Sequence, residues 1–179
     1  MSRRGTSLIE LLIVLVLLGI LTAVAAPRMR PSAKGTVEQT TRLLAQDLDL
    51  ARTRAYGARA MVRFVVADTL WQIFLDQNRD MLIAEVATER TAFGPMNSRV
   101  REPHVIWSRG SAPAIPTDTT TFLPGTRRLQ FSARGVSEPF GTSTIIYLSY
   151  DTDPSAVCAV EVNPAANVRV WRWVDGMWI

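Results

Sequence analysis

Residues 5–26 read Gly5-Thr6-Ser7-Leu8-Ile9-Glu10-Leu11-Leu12-Ile13-Val14-Leu15-Val16-Leu17-Leu18-Gly19-Ile20-Leu21-Thr22-Ala23-Val24-Ala25-Ala26, with Arg3 and Arg4 just before them. No charge occurs from Leu11 to Ala26. At about 1.5 Å per residue, the run extended back to Leu8 is long enough to reach across a hydrocarbon layer of about 30 Å. A surface helix of a soluble domain shows a polar face every third or fourth residue. This run is apolar all round, so it faces lipid or is removed. The two arginines keep Met1 in the cytoplasm and send everything after Pro27 across the membrane. Three readings compete. One is a secretory signal peptide cut near Ala23-Val24-Ala25. Another is a plain membrane anchor. The third turns on Glu10. A charged side chain at the centre of a membrane helix costs roughly 2.5–3.5 kcal/mol, less near the interface. A signal peptide or a plain anchor gains nothing from it.

Gly5-Thr6-Ser7-Leu8-Ile9-Glu10-Leu11, between a short basic leader and an uncharged run, resembles the class III signal of type IV pilins and type II secretion pseudopilins. The resemblance implies that a prepilin peptidase cuts between Gly5 and Thr6 on the cytoplasmic side. It implies that the new amine of Thr6 is then methylated. It makes Glu10 the carboxylate that pairs with the amine of a neighbouring subunit and sets the register. The chemistry suits these roles: a glycine lets a protease approach the backbone closely, and charge pairing is strong in low dielectric. Pro27 ends the run where helices of this family bend, because proline removes a hydrogen bond and clashes with the preceding turn. Gly19 is a small site for close helix packing. The family usually has an aromatic residue or Met where Thr6 stands.

Composition narrows the rest. With 179 residues, 47% hydrophobic and 20% charged, the chain suits one domain plus an appendage. The only cysteine, Cys158, excludes an internal disulfide and a cysteine-cluster zinc site. The only histidine, His104, argues against hydrolase triads and His-rich metal sites. Arg3 and Arg4 supply part of the net charge of +4, and what remains is too small to imply nucleic acid by itself.

The order of elements is helix first, then strands. Arg28 to Gly35 is a basic, broken segment placed to meet lipid phosphates or solvent. Thr36-Val37-Glu38-Gln39 has the form of a capping box. Val37, Leu44, Leu48, Ala51 and Ala55 then make one helical stripe, with Arg42, Asp47, Asp49, Arg52 and Arg54 on the other faces and Gly57 as the stop. Strands are predicted over 61–67, 70–75, 81–86, 105–107, 128–131, 144–150, 156–162 and 167–174. Asp175-Gly176 turns Met177-Trp178-Ile179 back along the last of them. The segments 87–103 and 108–126 read as loops. The organisation is therefore a cleaved leader (1–5), a transmembrane helix (6–27), a linker and amphipathic helix (28–57) and a β-rich head (58–179). The fold class is α+β and pilin-like, a long N-terminal helix packed on antiparallel sheets. Trp71 to Asn78 and Leu129 to Gly135 resemble the head of the H-type minor pseudopilin and of minor pilins of the FimT kind.

Few constellations carry chemistry. Asp76, Asn78 and Asp80 alternate like the start of a calcium loop, but the glycine and the distal glutamate are missing, so a polar turn is the better reading. Asp151 and Asp153 flank Thr152 in another turn. Cys158 reads as a small buried apolar residue, and His104 as a surface residue. Arg169, Trp171, Arg172 and Trp173, with Trp178, form an aromatic and arginine cluster. At period two Arg169, Trp171 and Trp173 share one face and Arg172 points opposite. Core closure by the tryptophans is preferred. Protein contact comes second and single-stranded DNA third. Relatives of the FimT kind are associated with DNA binding through a basic C-terminal part preceded by Gly-Arg, where this chain has Ala166-Asn167.

The resemblance implies a minor pseudopilin held in the inner membrane, with its N-terminus cytoplasmic and its head periplasmic, that primes or caps a type II secretion pseudopilus. Its partners would be other pseudopilins or pilins, the prepilin peptidase and membrane lipid. Glu10 sets it apart from the K-type tip subunit, which typically lacks that carboxylate. The alternatives are a minor type IV pilin, one of DNA uptake included, and a secreted or anchored β-domain binding protein. No enzyme activity, cofactor or metal is expected.

Overall fold

The computed structural model describes residues 8–25, 32–86, 98–117, 120–121 and 127–179. The chain divides into two compact units, Met1–Ser32 and Ala33–Ile179.

The first unit contains helix α1, Leu8–Ala25. Leucine dominates it, and its one charge, Glu10, lies in the first turn. Every large apolar side chain from Leu8 to Leu21 is at least half exposed. The Thr22 hydroxyl is satisfied within the helix, on the carbonyls of Leu18 (2.8 Å) and Gly19 (2.9 Å). Among the described residues no helix is long and apolar enough to cross a membrane. The 18 residues of α1 rise about 27 Å. The remainder of the span expected over 6–27, Pro27 included, lies outside the described residues.

The second unit is helix α2, Ala33–Ala58, on two sheets. The helix begins before the expected capping box. Ser32 precedes it, and Thr36 already lies inside, its carbonyl accepting the Thr40 hydroxyl at 2.9 Å. All five residues of the expected stripe, Val37, Leu44, Leu48, Ala51 and Ala55, are fully buried.

The first sheet has the order β3-β2-β1-β6-β7. Its strands are β1 (Val62–Val66), β2 (Leu70–Leu75), β3 (Arg99–Val100), β6 (Arg127–Phe131) and β7 (Ser137–Glu138). β1 is central, with Phe64 opposite both Ile73 and Leu129. The second sheet runs β11-β10-β9-β8-β4, with β5 (Thr120–Thr121) added parallel to β8. Its other strands are β4 (Val105–Ile106), β8 (Thr144–Tyr150), β9 (Val157–Val162), β10 (Val168–Val174) and β11 (Met177–Trp178). Asp175 and Gly176 both take positive φ (49° and 82°), which is what the tight β10–β11 hairpin requires.

Alternation along the strands sorts the side chains. Phe64, Ile73, Phe131, Ile146, Leu148, Cys158, Val160 and Val162 join the α2 stripe in the main core. The opposite face of the second sheet carries Ile145, Tyr147 and Ala159, which pack with Ile115 from the 108–117 loop. The Tyr147 hydroxyl accepts the Ile115 N–H at 2.9 Å. Gly110, φ 53°, lets that loop lie down, since a Cβ there would stand 2.4 Å from the Pro154 carbonyl oxygen.

Several expectations are corrected. The segment 81–86 is not a strand: Met81 (φ 64°) and Glu85 (φ 59°) take left-handed conformations that break an extended ladder. Ile83 is instead tucked against Val65 and Phe74. Strands β3 and β5 cross segments read as loops, and β7 was not anticipated. Each has two residues, too few to show a period.

Candidate functional site

The N-terminal motif is the first candidate. Gly5, Thr6 and Pro27 lie outside the described residues. Glu10 is in the first turn of α1, with its side chain exposed. A carboxylate suits that position, because the amide groups of a helix N-terminus carry positive partial charge. The helix around Glu10 supplies no basic side chain, so a cation that pairs with it must come from elsewhere.

The C-terminal cluster is the second. The period-two expectation for β10 holds. The Arg169 guanidinium carbon sits 3.8 Å from the centre of the Trp171 ring. The Trp171 indole N–H donates to Glu161 Oε2 at 2.8 Å, and the Thr117 hydroxyl donates to Glu161 Oε1 at 2.9 Å. Glu161 is thus buried with both oxygens engaged. Trp173 and Trp178 meet at 5.4 Å between centres, Trp178 meets Tyr147 at 5.9 Å, and the Trp178 indole N–H donates to the Pro113 carbonyl at 3.0 Å. The tryptophans therefore pin the 108–117 loop over the outer face of the sheet. Arg172 belongs to the other side. Its Nη1 donates to Glu38 Oε1 of α2 at 3.3 Å, and Glu38 also accepts Arg42 Nη2 at 2.6 Å. The four residues therefore divide between two faces.

The head holds three charge arrangements that sequence reading missed. Asp47, placed by its spacing off the apolar stripe, is 4% exposed. Arg99 Nε donates to its Oδ2 at 2.6 Å and Arg99 Nη2 to its Oδ1 at 3.1 Å, while the Trp71 indole N–H donates to Oδ2 at 2.7 Å. That carboxylate holds the Arg99 guanidinium above its ordinary pKa. The only sequence signal was position, since Asp47 directly precedes Leu48 and borders the stripe. Glu85 accepts Arg128 through Nε and Nη2 and Arg63 through Nη1. The bond from Arg128, then that from Arg63, hold its carboxyl below the usual glutamate range against the opposing effect of burial. His104 has a partner: its Nδ1 lies 3.0 Å from Asp151 Oδ2, and its ring stacks on Tyr150 at 5.6 Å. His104 holds the Asp151 carboxyl below the usual aspartate range. Cys158 is buried and free, and burial pushes its thiol up to about 11, far from a reactive thiolate. Among the described residues no three carboxylate, imidazole or thiol side chains converge as a metal group.

Residues 1–26 match the family described as "Prokaryotic N-terminal methylation motif". Over 154 residues the chain is 37% identical to the "Pilin-like protein PilA1" of Thermus thermophilus, covering 83% of this chain and 88% of that protein. Two crystal forms of the type IV minor pilin FimU of Pseudomonas aeruginosa align at 12% identity with a TM-score of 0.47. The first covers 75% of this chain and 87% of that one.

Proposed function

This chain belongs to the pilin-like proteins, and we propose that it is a minor, structural subunit that primes or caps a pilus-type fibre. The observation that carries the reading is the 37% identity over 154 residues, which extends beyond the leader into the head. In this proposal Gly5–Thr6 is the peptidase cut and the Thr6 amine is the methylated terminus. Residues 6–27 sit in the inner membrane with the head on the outer side, and Pro27 bends the helix. Glu10 pairs with the amine of the adjacent subunit. The β10 face with Arg169, Trp171 and Trp173 closes the head's outer cluster and presents its rim to neighbouring subunits. Arg172 ties α2 to the sheet. The secretion pseudopilus and the type IV pilus both use a subunit of this kind. Deleting the gene and scoring protein secretion against piliation separates the two machines.

Replacing Glu10 tests the assembly role. Glu10→Leu removes a group that is costly in a membrane, so insertion is kept. The leader and the cut are untouched, so the intact mass is that of a chain beginning at Thr6. Co-purification of partner subunits from detergent falls, because the neighbouring amine loses its counter-charge in low dielectric. Unchanged partner recovery would refute the register role of Glu10. A mature chain starting at Ala26 or Pro27 would refute the pilin-type processing itself.

A further inference from the structure

The turn after β2 is built around a buried carboxylate with only one oxygen engaged. Asp76 is 2% exposed. Its Oδ2 accepts the Met81 N–H at 3.0 Å, which closes residues 76–81 around the carboxylate. Its Oδ1 is sealed from solvent and has no hydrogen-bond partner. A buried carboxylate oxygen without a donor is costly unless a proton or a cation meets it.

The residues that follow supply further oxygens at alternate positions. Asp80 Oδ1 accepts the Leu82 N–H at 2.8 Å and its Oδ2 accepts the Asn78 Nδ2–H at 2.9 Å, while Asn78 Oδ1 lies 3.4 Å from the Asp80 N. Arg79, the one basic residue of the turn, reaches away to the Ala58 carbonyl at 3.4 Å. Calcium loops of the EF-hand kind take side-chain oxygens from positions 1, 3 and 5 and a backbone carbonyl from position 7, with a glycine at position 6 for the sharp turn. Counted from Asp76, these are Asp76, Asn78, Asp80 and Leu82, with Met81 sixth. Glycine is absent there, yet Met81 takes φ 64°, the left-handed conformation that glycine supplies. The twelfth position is Ala87, so no bidentate glutamate is available from the loop. Glu85 is committed to Arg63 and Arg128. Two carboxylates, an amide oxygen and a carbonyl leave the remaining positions to water. Calcium, with its flexible shell of 6–8 oxygens, accepts such a site, whereas magnesium requires near-octahedral geometry and gives up water reluctantly.

We propose that the turn Asp76–Leu82 binds one calcium ion weakly, with Asp76 Oδ1 as the buried ligand. The proposal does not depend on the fibre role. The test is calorimetric titration of chelator-treated, full-length protein in detergent with calcium chloride, and with magnesium chloride as control. The expected result is one site with Kd of about 10⁻⁴–10⁻³ M, the range of weak extracellular modules, and much weaker magnesium binding. Asp76→Asn and Asp80→Asn each weaken calcium binding about tenfold or more, since affinity follows ligand charge. Asp80 is exposed, so Asp80→Asn retains the fold, checked by circular dichroism, even if Asp76→Asn does not. Any of three results overturns the proposal: no saturable calcium binding up to about 10 mM, tenfold above that range; equal binding of magnesium; or unchanged calcium affinity in Asp80→Asn.

Discussion

Helices α1 and α2 are both rich in leucine, yet they place their apolar side chains in opposite ways. In α1 the apolar residues run all round, and the large ones from Leu8 to Leu21 are at least half exposed. In α2 a single stripe is apolar, and that stripe is fully buried against two sheets of the same chain. A narrow stripe matches the area that one sheet layer can cover. An all-round apolar helix exceeds what the strands of a small head can cover, and under the proposed function its partner is lipid or other subunits. On that proposal the two helices divide the chain's tasks, α2 organising the head and α1 serving the fibre and the membrane.

Paired substitutions test this division most strongly. Leu48→Ala in α2 lowers head stability by about 2–5 kcal/mol, the usual cost of emptying a packed site. Leu15→Ala in α1 leaves the head's denaturation midpoint unchanged. Both are read by chemical denaturation in detergent, followed by tryptophan fluorescence. An equal loss in the two variants would end the contrast between the helices.

A second variant examines the one charged residue on the buried side of α2. Asp47→Ala leaves Arg99 and the Trp71 N–H without their acceptor. The expected loss is about 3 kcal/mol, at the low end for a broken buried pair because Arg99 is partly exposed. Asp47→Asn, which keeps an acceptor for one donor, loses less. If Asp47→Ala melts like the wild type, the carboxylate is not part of what holds β3 and β2 to the helix.

The smallest effect is a pH dependence of the head alone. The folded-state pKa of Glu85 is depressed by Arg128 and Arg63. Its stabilisation is therefore complete above the ordinary glutamate range of about 4.3 and is lost as pH falls through the lower folded value. The melting temperature should decline from about pH 5 downward, and Glu85→Gln should flatten part of that decline. Salt should weaken the effect, since Arg128 is largely exposed. An identical acid profile in Glu85→Gln would show that other carboxylates carry it.

Sequence alone determined the features that depend on short-range pattern. The leader charge, Gly5, Glu10 and the uncharged run are local and ordered along the chain, and the family match to residues 1–26 follows the same signal. The α2 stripe and the long strands β1, β2, β8, β9 and β10 were legible because period 3.6 and period 2 persist over enough residues to be recognised. The Asp175-Gly176 hairpin was legible because its residues suit positive φ. What only the tertiary structure decided depends on contacts between residues far apart in the chain. Asp47 is buried because Arg99, 52 residues on, arrives to neutralise it. The segment 81–86 leaves the sheet because Glu85 is drawn to Arg63 and Arg128 while Ile83 packs beneath. His104 gains Asp151, 47 residues away, because β4 pairs with β8. The tryptophans of β10 and β11 close an outer cluster only because the 108–117 loop folds over that sheet, and no local period records where a loop will lie.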